Sequence, residues 1–274
     1  MSKVAAITGA GSGIGRALAV GLARRGFRLA LSDVGEDGLA ETKALCRSAE
    51  VHTQVVDVAD RDAVLAWSDA VVQHYGAVHQ IYNNAGIAYS RTVLESDFED
   101  YERVLGVNLW GVIHGTKAFL PHVIASGDGA VVNISSLNGF LAQSEMSHYV
   151  TSKFGVRGFT EALRIEMLDA GHKVTVTSIH PGGIKTNIAS SALASAKAMG
   201  KPVTEADERR EKLYNEKLLK MPADQAAEII IKGVEAGRPR VLVGNDAKAV
   251  DLFVRLLPGR YGKLVAKANE RMNR

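Results

Sequence analysis

The sequence predicts one α/β domain in which a seven-stranded parallel sheet carries helices on both faces, the doubly wound arrangement, together with a helical lid. Three observations lead to this prediction. Short apolar runs alternate with longer helix-like stretches through most of the 274 residues. Several runs are apolar at nearly every position, as in strands covered on both faces, rather than at alternate positions. No Pro/Ser-rich linker, low-complexity tract or fixed-period repeat divides the chain.

The elements follow one another as strand, helix, strand along the chain. The candidate strands are Val4–Thr8, Arg28–Asp33, His52–Val58, Gln80–Asn84, Ala130–Ser135, Val174–His180 and Arg240–Gly244. The clearest helix-like stretches are Arg16–Arg25, Arg61–Tyr75, Tyr101–Ala125 and Tyr149–Ala170. Repeated alternation implies right-handed crossovers, which place helices on both faces of one sheet. Residues 187–222 carry no strand pattern and form the predicted lid, and a tail follows Gly244.

Composition and charge argue against several classes of protein. The 33 Lys and Arg and the 30 Asp and Glu leave a formal net charge of +3, too even a balance to indicate a nucleic-acid partner. The single cysteine, Cys46, excludes an intrachain disulfide, and the eight histidines show no ligand spacing, so we expect no metal site. No apolar run is long enough to span a membrane. The first strand begins at Val4, which leaves no room for a signal peptide, so we expect a cytoplasmic protein.

A glycine-rich turn follows the first strand. Gly9, Gly13 and Gly15 have the spacing G-x-x-x-G-x-G, whereas the common G-x-G-x-x-G template does not fit. Glycine allows the backbone to turn sharply and to approach a pyrophosphate closely. The helix that begins near Ile14 would direct its N-terminal N–H groups at the phosphates. This position between strand and helix predicts a dinucleotide site; the alternative is a tight turn without a ligand.

A carboxylate at the end of the second strand indicates which dinucleotide is bound. Asp33 lies eighteen residues past Gly15, near the position of the carboxylate that accepts the ribose 2′-hydroxyl. Because a carboxylate there repels the additional phosphate of NADP, we predict NAD as the cofactor. Neither Ser12 nor Val34 offers a compensating cation, although Arg16 is one candidate. If Asp33 instead caps the next helix, the preference between NAD and NADP stays open.

Four polar residues stand at spacings that indicate acid–base chemistry. Tyr149 and Lys153 occupy positions i and i+4 of a predicted helix and so share one face. Ser136 lies thirteen residues before the tyrosine, at the end of an apolar strand, and Asn108 lies in the helix after the fourth strand. A Tyr-x-x-x-Lys pair alone is a common accident, so the prediction depends on the combination.

These motifs, in this order and spacing, resemble the short-chain dehydrogenase/reductase family of oxidoreductases over residues 4–245. The resemblance implies a Rossmann-type fold, with residues 1–245 as the NAD(P)-binding catalytic domain, including the lid, and residues 246–274 as a basic amphipathic extension. The residues that match the family's catalytic tetrad are Asn108, Ser136, Tyr149 and Lys153. The residues that match its cofactor-binding segments are Gly9, Ser12, Gly13, Ile14, Gly15, Asp33, Asp57, Val58, Asn84, Ala85, Gly86, Tyr149, Lys153, Pro181, Gly182, Ile184 and Thr186.

The chemistry of this tetrad accounts for its residue types. Oxidation of an alcohol by hydride transfer requires removal of the hydroxyl proton, and a free tyrosine, with a pKa of about 10, is a poor base at neutral pH. A neighbouring ammonium favours the phenolate. The resemblance therefore implies that Tyr149 is the acid/base and that Lys153 lowers its pKa and binds the nicotinamide ribose. Ser136 would position the substrate oxygen, and Asn108 would hold a water that links Lys153 to solvent.

Together these features predict an NAD(H)-dependent oxidoreductase that interconverts a secondary alcohol and a ketone. Two alternatives stay open: an NADPH-dependent ketone or acyl reductase, and a dinucleotide-binding sensor without turnover. Apolar residues on both predicted walls of the substrate site favour an apolar substrate. These residues are Leu137, Phe140, Leu141 and Met146 in the loop after the fifth strand, and Leu193 and Met199 in the lid.

The resemblance also implies a homodimer or homotetramer, joined through helices that correspond to Tyr101–Ala125 and Tyr149–Ala170. The tail from Gly244 holds seven Lys and Arg against three Asp and Glu. Its apolar residues at helical spacing are Val250, Phe253, Val254 and Leu257. Such a basic amphipathic helix either rests on a membrane surface or docks on its own domain or on a sister subunit, and we favour docking.

Overall fold

The computed structural model describes residues 2–198, 200–201 and 203–272, so Met199 lies outside the described residues. The strands are β1 Val4–Thr8, β2 Arg28–Asp33, β3 Val51–Val55, β4 Gln80–Asn83, β5 Gly129–Ile134, β6 Val174–Pro181, β7 Ile184–Lys185, β8 Met221–Pro222 and β9 Arg240–Val243. Seven of them form one sheet in the order β3-β2-β1-β4-β5-β6-β9. Every neighbouring pair is parallel, so the predicted seven-stranded parallel sheet is confirmed.

Helices separate most of the strands. They are α1 Gly13–Ala23, α2 Glu36–Leu45, α3 Arg61–Tyr75, α4 Phe98–Leu105, α5 Gly111–Ala125, α6 Ser147–Asp169, α7 Ile188–Ala198, α8 Glu205–Leu213, α9 Ala223–Glu235, α10 Asn245–Leu256 and α11 Tyr261–Met272. The arrangement has helices on both faces of a parallel sheet and is the Rossmann-type fold that the sequence predicted.

The predicted helix Tyr101–Ala125 is not one regular helix. It begins earlier, at Phe98, because the side chains of Asp97 and Asp100 form a capping box with the backbone of the first turn. Residues Gly106–Trp110 then form a π-helical turn between α4 and α5. π-Helical turns often mark functional sites, because the wider turn changes the direction of the side chains it carries.

The sheet separates two apolar cores, one on each face. Along β1 the residues alternate between them, so that Ile7 belongs to one core and Ala6 to the other. Helices α1, α2 and α9 cover the first core, and α3, α5 and α6 cover the second. Trp67 and Phe119 are fully buried in the second core, with their rings edge to face at 4.8 Å. Burial on both faces is the reason that the central strands β1 and β5 are apolar at nearly every position.

The order of the strands reverses between β1 and β4. β2 and β3 lie on one side of β1, whereas β4, β5, β6 and β9 lie on the other. The loops that leave the carboxyl ends of β1 and β4 therefore diverge, and open α/β sheets bind their ligands in the crevice at this point. Thr8 connects the two ends, because its Oγ1 accepts hydrogen bonds from the backbone nitrogens of Asn84 and Ala85, both at 3.0 Å.

The lid segment, residues 187–222, contains α7 and α8. Contrary to the sequence prediction, it also contains strand structure, because β8 at its end pairs with β7. Lys201 forms ion pairs with Asp97 and Asp100, and Val203 packs against a small apolar cluster around Tyr89. These contacts hold the lid segment against the loop after β4 and the start of α4.

The tail continues as α10 and α11. Helix α10 lies against β9 and the turn Leu137–Gly139 of its own chain, and its Ala247 is fully buried. Leu252 and Leu256 lie on the outer side of α10 and are exposed. The structure thus shows α10 docked on its own chain. In the part of the chain that the structure describes, no helix combines the length and apolar character needed to cross a membrane.

Candidate active site

The turn between β1 and α1 is rich in glycine, so much of its backbone carries no side chain. Gly9 and Gly13 have φ angles of 64° and 52°, in the left-handed region that favours glycine. A Cβ on Gly9 would lie 2.7 Å from Ala85 Cα, and a Cβ on Gly15 would lie 2.0 Å from the Gly9 carbonyl oxygen. Ser12, the N-cap of α1, makes no side-chain capping bond, so it does not compete for the first N–H groups of the helix. This turn fits a pyrophosphate, which needs a close backbone and a helix N-terminus.

Asp33 faces this turn from the end of β2. Its Oδ2 accepts a hydrogen bond from Gly11 N at 2.8 Å, and its Oδ1 accepts one from Gly35 N at 3.0 Å. Gly35, not Asp33, is the N-cap of α2, so the capping interpretation is wrong. Arg16, the candidate cation, donates to the Glu41 carboxylate at 2.7 Å. The positive charge of Arg16 is therefore matched by Glu41.

Asp57 and Val58 follow β3 in a loop, not in the strand that the sequence predicted. β3 ends at Val55 because the chain turns at Asp57, whose Oδ1 accepts a hydrogen bond from Ala59 N at 2.9 Å. The Asp57 side chain is exposed and Val58 is buried. Asp33 lies beside this loop, since its carbonyl oxygen accepts a hydrogen bond from Val56 N at 3.0 Å.

The end of β4 holds the glycine turn in place. Asn84 Nδ2 donates to the carbonyl oxygens of Thr8 and Gly9, at 3.0 and 3.1 Å. The next residue, Ala85, packs beside the second core. The Asn84 side chain therefore connects two of the predicted cofactor-binding segments.

Lys153 is buried, with its ammonium at the end of β5. It is 3% exposed, and its Nζ donates to the carbonyl oxygen of Ile134, the last residue of β5, at 3.0 Å. The same nitrogen lies 5.7 Å from the centroid of the Tyr149 ring. Loss of hydration lowers the pKa of the ammonium from 10.5 to about 8. The group therefore remains mainly protonated at neutral pH.

Tyr149 lies in the first turn of α6, which begins at Ser147, two residues earlier than predicted. The preceding His148 is fully buried, and its Nδ1 accepts a hydrogen bond from Tyr149 N at 2.9 Å. Its ring contacts the rings of Tyr89 and Tyr101. Burial lowers the pKa of His148, so the ring is neutral and supports the first turn of the helix. The Tyr149 side chain itself is half-buried.

Asn108 lies in the π-helical turn and is fully buried. Its Oδ1 accepts from Ile87 N at 2.8 Å, and its Nδ2 donates to Ile87 O at 2.9 Å and to Ser152 Oγ at 3.2 Å. A Cβ on Gly86 would lie 3.3 Å from Asn108 Oδ1 and 3.5 Å from Lys153 Nζ. The absence of a side chain at Gly86 thus lets an amide oxygen and an ammonium approach the backbone closely at this point.

Ser136 follows β5 at the start of a short turn. Its Oγ accepts a hydrogen bond from Asn138 N at 3.1 Å. Its carbonyl oxygen lies 2.8 Å from His180 Nδ1, and His180 Nε2 lies 2.9 Å from the Ser178 hydroxyl. Since a carbonyl only accepts, Nδ1 carries the proton and Nε2 accepts from the serine. Burial lowers the pKa of His180 to about 4, which keeps this tautomer neutral.

The loop after β6 lies on the other side of the glycine turn. Pro181 ends β6, and Gly182 N donates to the last carbonyl of β9 at 2.9 Å. Ile184 is buried in the first core. Thr186 lies against the glycine turn, because a Cβ on Gly13 would be 3.2 Å from Thr186 Cγ2. The two loops are therefore in contact at one edge of the crevice.

The predicted wall of the substrate site is only partly correct. Leu137 and Met146 are half-buried, but Phe140 and Leu141 are buried and are not open to a substrate. Phe140 packs with its ring 5.1 Å from the ring of His180 and borders a groove beneath α10. The chain turns inward there because the 137–139 turn brings Phe140 against β6, a contact between segments distant in sequence.

Sequence reasoning missed three residues that hold the site. His180 supports the carbonyl of Ser136, and Ser152 receives the amide of Asn108. Arg91 comes next to the wall, since its backbone nitrogen donates to Glu145 O at 2.7 Å. The histidine had a sequence signal, because it is a polar residue at the end of an apolar strand. The other two contacts had none.

No group of three or more His, Cys, Asp or Glu that could hold a metal ion occurs among the residues placed in the structure.

Comparisons with known proteins show the family of the chain. A profile of the family described as short chain dehydrogenase matches residues 3–197. An oxidoreductase of Mycobacterium tuberculosis named SadH is 54% identical over 266 residues, which cover 96% of this chain and 94% of that protein. The cyclohexanol dehydrogenase of an Acinetobacter species is 35% identical over 188 residues, 68% of this chain and 74% of that enzyme. A short chain dehydrogenase/reductase from Burkholderia phymatum, crystallised with NAD, has a TM-score of 0.87 and 32% identity, with 96% of this chain and 95% of that chain covered.

The chain belongs to the short-chain dehydrogenase/reductase family. It is an oxidoreductase that acts on CH–OH donors with a nicotinamide dinucleotide as cofactor, and its substrates are small molecules. The crevice at the ends of β1 and β4 carries the residues that fit this cofactor.

Proposed function

We propose that this enzyme interconverts a secondary alcohol and a ketone with NAD(H), and that Tyr149 is the acid/base. The observation that carries the proposal is the buried ammonium of Lys153, 5.7 Å from the centre of the Tyr149 ring. A positive charge in a poorly hydrated site favours the phenolate over the phenol. When bound, the nicotinamide supplies the hydride acceptor or donor, and residues of the chain manage the proton.

Tyr149 and Ser136 both act on the substrate oxygen, the first by proton transfer and the second by a hydrogen bond. During oxidation the phenolate oxygen of Tyr149 takes the hydroxyl proton, and during reduction the phenol returns it. The Ser136 Oγ already accepts a bond from Asn138 N at 3.1 Å, so its own proton is available for donation to the substrate oxygen. Neutral His180 holds the Ser136 carbonyl and thereby the direction of the serine side chain.

Lys153 and Asn108 connect Tyr149 to solvent. The described protein partner of the ammonium is the carbonyl of Ile134, and an ammonium has three donors. We assign the other donors to the nicotinamide ribose hydroxyls and to a water beside Gly86, where Asn108 Oδ1 and Lys153 Nζ both approach the backbone. A water there would relay protons between the buried ammonium and the outside.

The residues proposed to hold the cofactor lie at the carboxyl edge of the sheet. They are Gly9, Ser12, Gly13, Ile14, Gly15, Asp33, Asp57, Val58, Asn84, Ala85, Gly86, Tyr149, Lys153, Pro181, Gly182, Ile184 and Thr186. The turn and the N-terminus of α1 suit the pyrophosphate, and the carboxylate at the end of β2 suits the ribose hydroxyls. We assign the nicotinamide to the loop from Pro181 to Thr186, because that loop follows His180, whose ring bonds the carbonyl of Ser136.

NAD is the proposed cofactor because the site opposes a 2′-phosphate. Such a phosphate would approach Asp33, and like unit charges about 4 Å apart repel by roughly 4 kcal/mol at an effective dielectric of 20. Glu41 pairs with Arg16 at 2.7 Å and so competes with a 2′-phosphate for this cation. An NADPH-dependent ketone or acyl reductase would require Arg16 to leave Glu41, so we place that function second.

The substrate we propose is an apolar secondary alcohol or ketone. Leu137 and Met146 remain half-buried at the wall, and the lid cation Lys197 is paired with Glu208 at 3.2 Å. The similarity to a cyclohexanol dehydrogenase supports the same class of substrate. Lys185, which is exposed at the end of β7 before the lid, and Arg91, whose backbone contacts the wall, are cations that would favour an anionic substrate instead.

The proposal extends to assembly and to domain organisation. Large apolar side chains are exposed on the π-helical turn and on α6, and these are Trp110, Phe154, Ile165 and Leu168. They support a homodimer or homotetramer joined through the helices predicted for that role. We propose residues 1–245 as the catalytic unit, with residues 246–274 as a basic extension.

The test is Tyr149→Phe, with Tyr75→Phe as the matched control on the far side of the second core. Titrate NADH by fluorescence, and measure turnover on cyclohexanol, 2-alkanols and their ketones. Tyr149→Phe should retain the wild-type affinity for NADH and lose roughly 10²–10⁴-fold in turnover, because it removes only the proton-transferring oxygen. Tyr75→Phe should keep both. Retention of more than about a tenth of the wild-type rate by Tyr149→Phe would remove Tyr149 as the acid/base.

A further inference from the structure

A carboxylate from the tail reaches the loop after β6. Asp246, in the first turn of α10, accepts a hydrogen bond from Gly183 N through its Oδ2 at 2.6 Å. Among the residues that the structure describes, the other hydrogen bonds of Gly182 and Gly183 join backbone atoms. Gly182 N donates to the end of β9, and the carbonyl oxygen of Gly183 accepts from Lys220 N and Met221 N, at 3.0 and 3.1 Å. Asp246 is thus the ionisable side chain in this set of contacts.

The neighbouring glycines make room for this carboxylate. A Cβ on Gly182 would lie 2.2 Å from both oxygens of Asp246, and a Cβ on Gly244 would lie 2.3 Å from its Oδ1. Gly244 has a φ of 108°, which other residues rarely adopt. Any side chain at position 182 would therefore displace Asp246 from the loop. In the part of the chain that the structure describes, no lysine or arginine pairs with this carboxylate.

We propose that Asp246 is a positioning residue for the nicotinamide end of the cofactor, and that its charge favours the oxidised cofactor over the reduced one. This inference rests on the proposed function, which places Pro181 to Thr186 at the nicotinamide. The hydrogen bond to Gly183 N holds the loop. The negative charge acts in addition, because the oxidised nicotinamide ring carries a positive charge and the reduced ring is neutral. Asp246 therefore stabilises one redox state of the bound cofactor more than the other.

A simpler role for Asp246 is that of an acidic residue in the first turn of a helix. Such a residue stabilises the helix through its dipole. That role predicts a change in the stability of the protein, and it predicts no difference between the two redox states of the cofactor. The ratio of the two dissociation constants separates the simpler role from the proposed one.

The experiment uses Asp246→Asn and Asp246→Ala in the full chain, with Asp251→Asn on the same helix as control. Measure dissociation constants for NAD⁺, NADH and ADP-ribose, which lacks the nicotinamide, by calorimetry, and melting temperatures alongside. Asp246→Asn keeps an oxygen that accepts from Gly183 N but loses the charge. Its dissociation constant for NAD⁺ should rise roughly fivefold, as expected for the loss of a unit charge several ångströms away at an intermediate dielectric. Its affinities for NADH and ADP-ribose should stay within twofold.

Asp246→Ala also loses the hydrogen bond to Gly183 N. It should therefore bind both NAD⁺ and NADH more weakly, and its affinity for ADP-ribose should be unchanged. Asp251→Asn should leave all three affinities unchanged. An unchanged ratio of NAD⁺ to NADH affinity in Asp246→Asn would overturn the charge effect, and unchanged affinities in Asp246→Ala would overturn positioning. A lower melting temperature without either change leaves only the helix role and overturns both. If the wild type binds neither NAD⁺ nor NADH, the proposed function itself is wrong. If the wild type binds both and Tyr149→Phe loses turnover, an unchanged Asp246 variant contradicts only the role proposed for Asp246.

Discussion

Acid should destabilise this protein through His180. The ring is fully buried between Ser136 and Ser178, with a neutral tautomer that donates to a carbonyl at 2.8 Å and accepts from a hydroxyl at 2.9 Å. Protonation would place a second N–H against the Ser178 hydroxyl and a charge in an apolar environment beside Phe140. The pKa of His180 is therefore lowered from 6.5 to about 4.

The magnitude follows from the two pKa values. In the folded protein His180 stays neutral down to about pH 4, whereas in the unfolded chain it takes up a proton near pH 6.5. The unfolded state thus binds more protons, and the free energy of unfolding falls as the pH falls from 6.5 to 4. Linkage gives a loss of about 2 kcal/mol between pH 7.5 and 5, and about 3 kcal/mol once the pH is below 4. Above pH 6.5 the contribution of His180 to stability is fully present.

The assay compares wild type with His180→Asn, whose amide nitrogen lies where Nδ1 does and still donates to the Ser136 carbonyl. Measure urea unfolding at pH 7.5, 6.5, 5.5 and 5, at one protein concentration for both. The variant should be less stable at every pH, but its loss between pH 7.5 and 5 should be smaller than that of wild type by about 2 kcal/mol. Other histidines and carboxylates titrate in both proteins and cancel in the difference. Equal losses in the two proteins would refute the buried neutral histidine.

Three further outcomes are expected. Asp33→Ala should reduce the ratio of kcat/KM for NAD to that for NADP, and adding Val34→Arg should reduce it further, because attraction of the 2′-phosphate replaces repulsion. Steady-state kinetics with both cofactors test this. A wild type that prefers NADP contradicts it. Lys153→Met should abolish turnover without lowering the melting temperature of the cofactor-free protein at pH 7. The fall of the Lys153 pKa from 10.5 to about 8 means that burial disfavours the ammonium by about 3 kcal/mol at that pH, more than the loss of one hydrogen bond to Ile134 costs; a clear drop in calorimetric melting temperature would contradict it. For 2-alkanols of increasing length, kcat/KM should rise by up to a few-fold per carbon, at ~0.8 kcal/mol per buried methylene, before it levels off; a flat series with strong activity on a small hydroxy acid or sugar would contradict an apolar site.

Much of the fold was predictable because its signals are local. Burial on both faces makes the central strands β1 and β5 apolar at nearly every position, and Val131 and Val132 of β5 belong to different cores. The turn after β1 was predictable because Gly9 and Gly13 adopt positive φ angles that other residues rarely adopt. Tyr149 and Lys153 were predictable as neighbours because four residues are about one turn of a helix.

The predicted bounds of the elements were wrong where a side-chain hydrogen bond or a distant segment sets the start or end of a helix or strand. The capping box of Asp97 and Asp100 starts α4 three residues before the predicted helix. The turn at Asp57 ends β3 early. The pairing of β7 with β8 joins segments on either side of the lid, and neither is long enough to show a strand pattern in the sequence.

What the sequence by itself determined is the order of the elements, the dinucleotide turn and the helical spacing of Tyr149 and Lys153, because each depends on neighbours within a few residues of the chain. The parallel sheet was predicted from the alternation of strands and helices, and the roles of Asn108 and Ser136 from the resemblance to the family. Only the tertiary structure decided the surroundings of those residues. Glu41 pairs with Arg16 from the next helix, and His180 meets Ser136 across 44 positions of the chain. Asp246 reaches Gly183 across 63. Such contacts, and the pKa changes that burial causes, depend on which elements the sheet brings together, and residue order alone carries no signal for them.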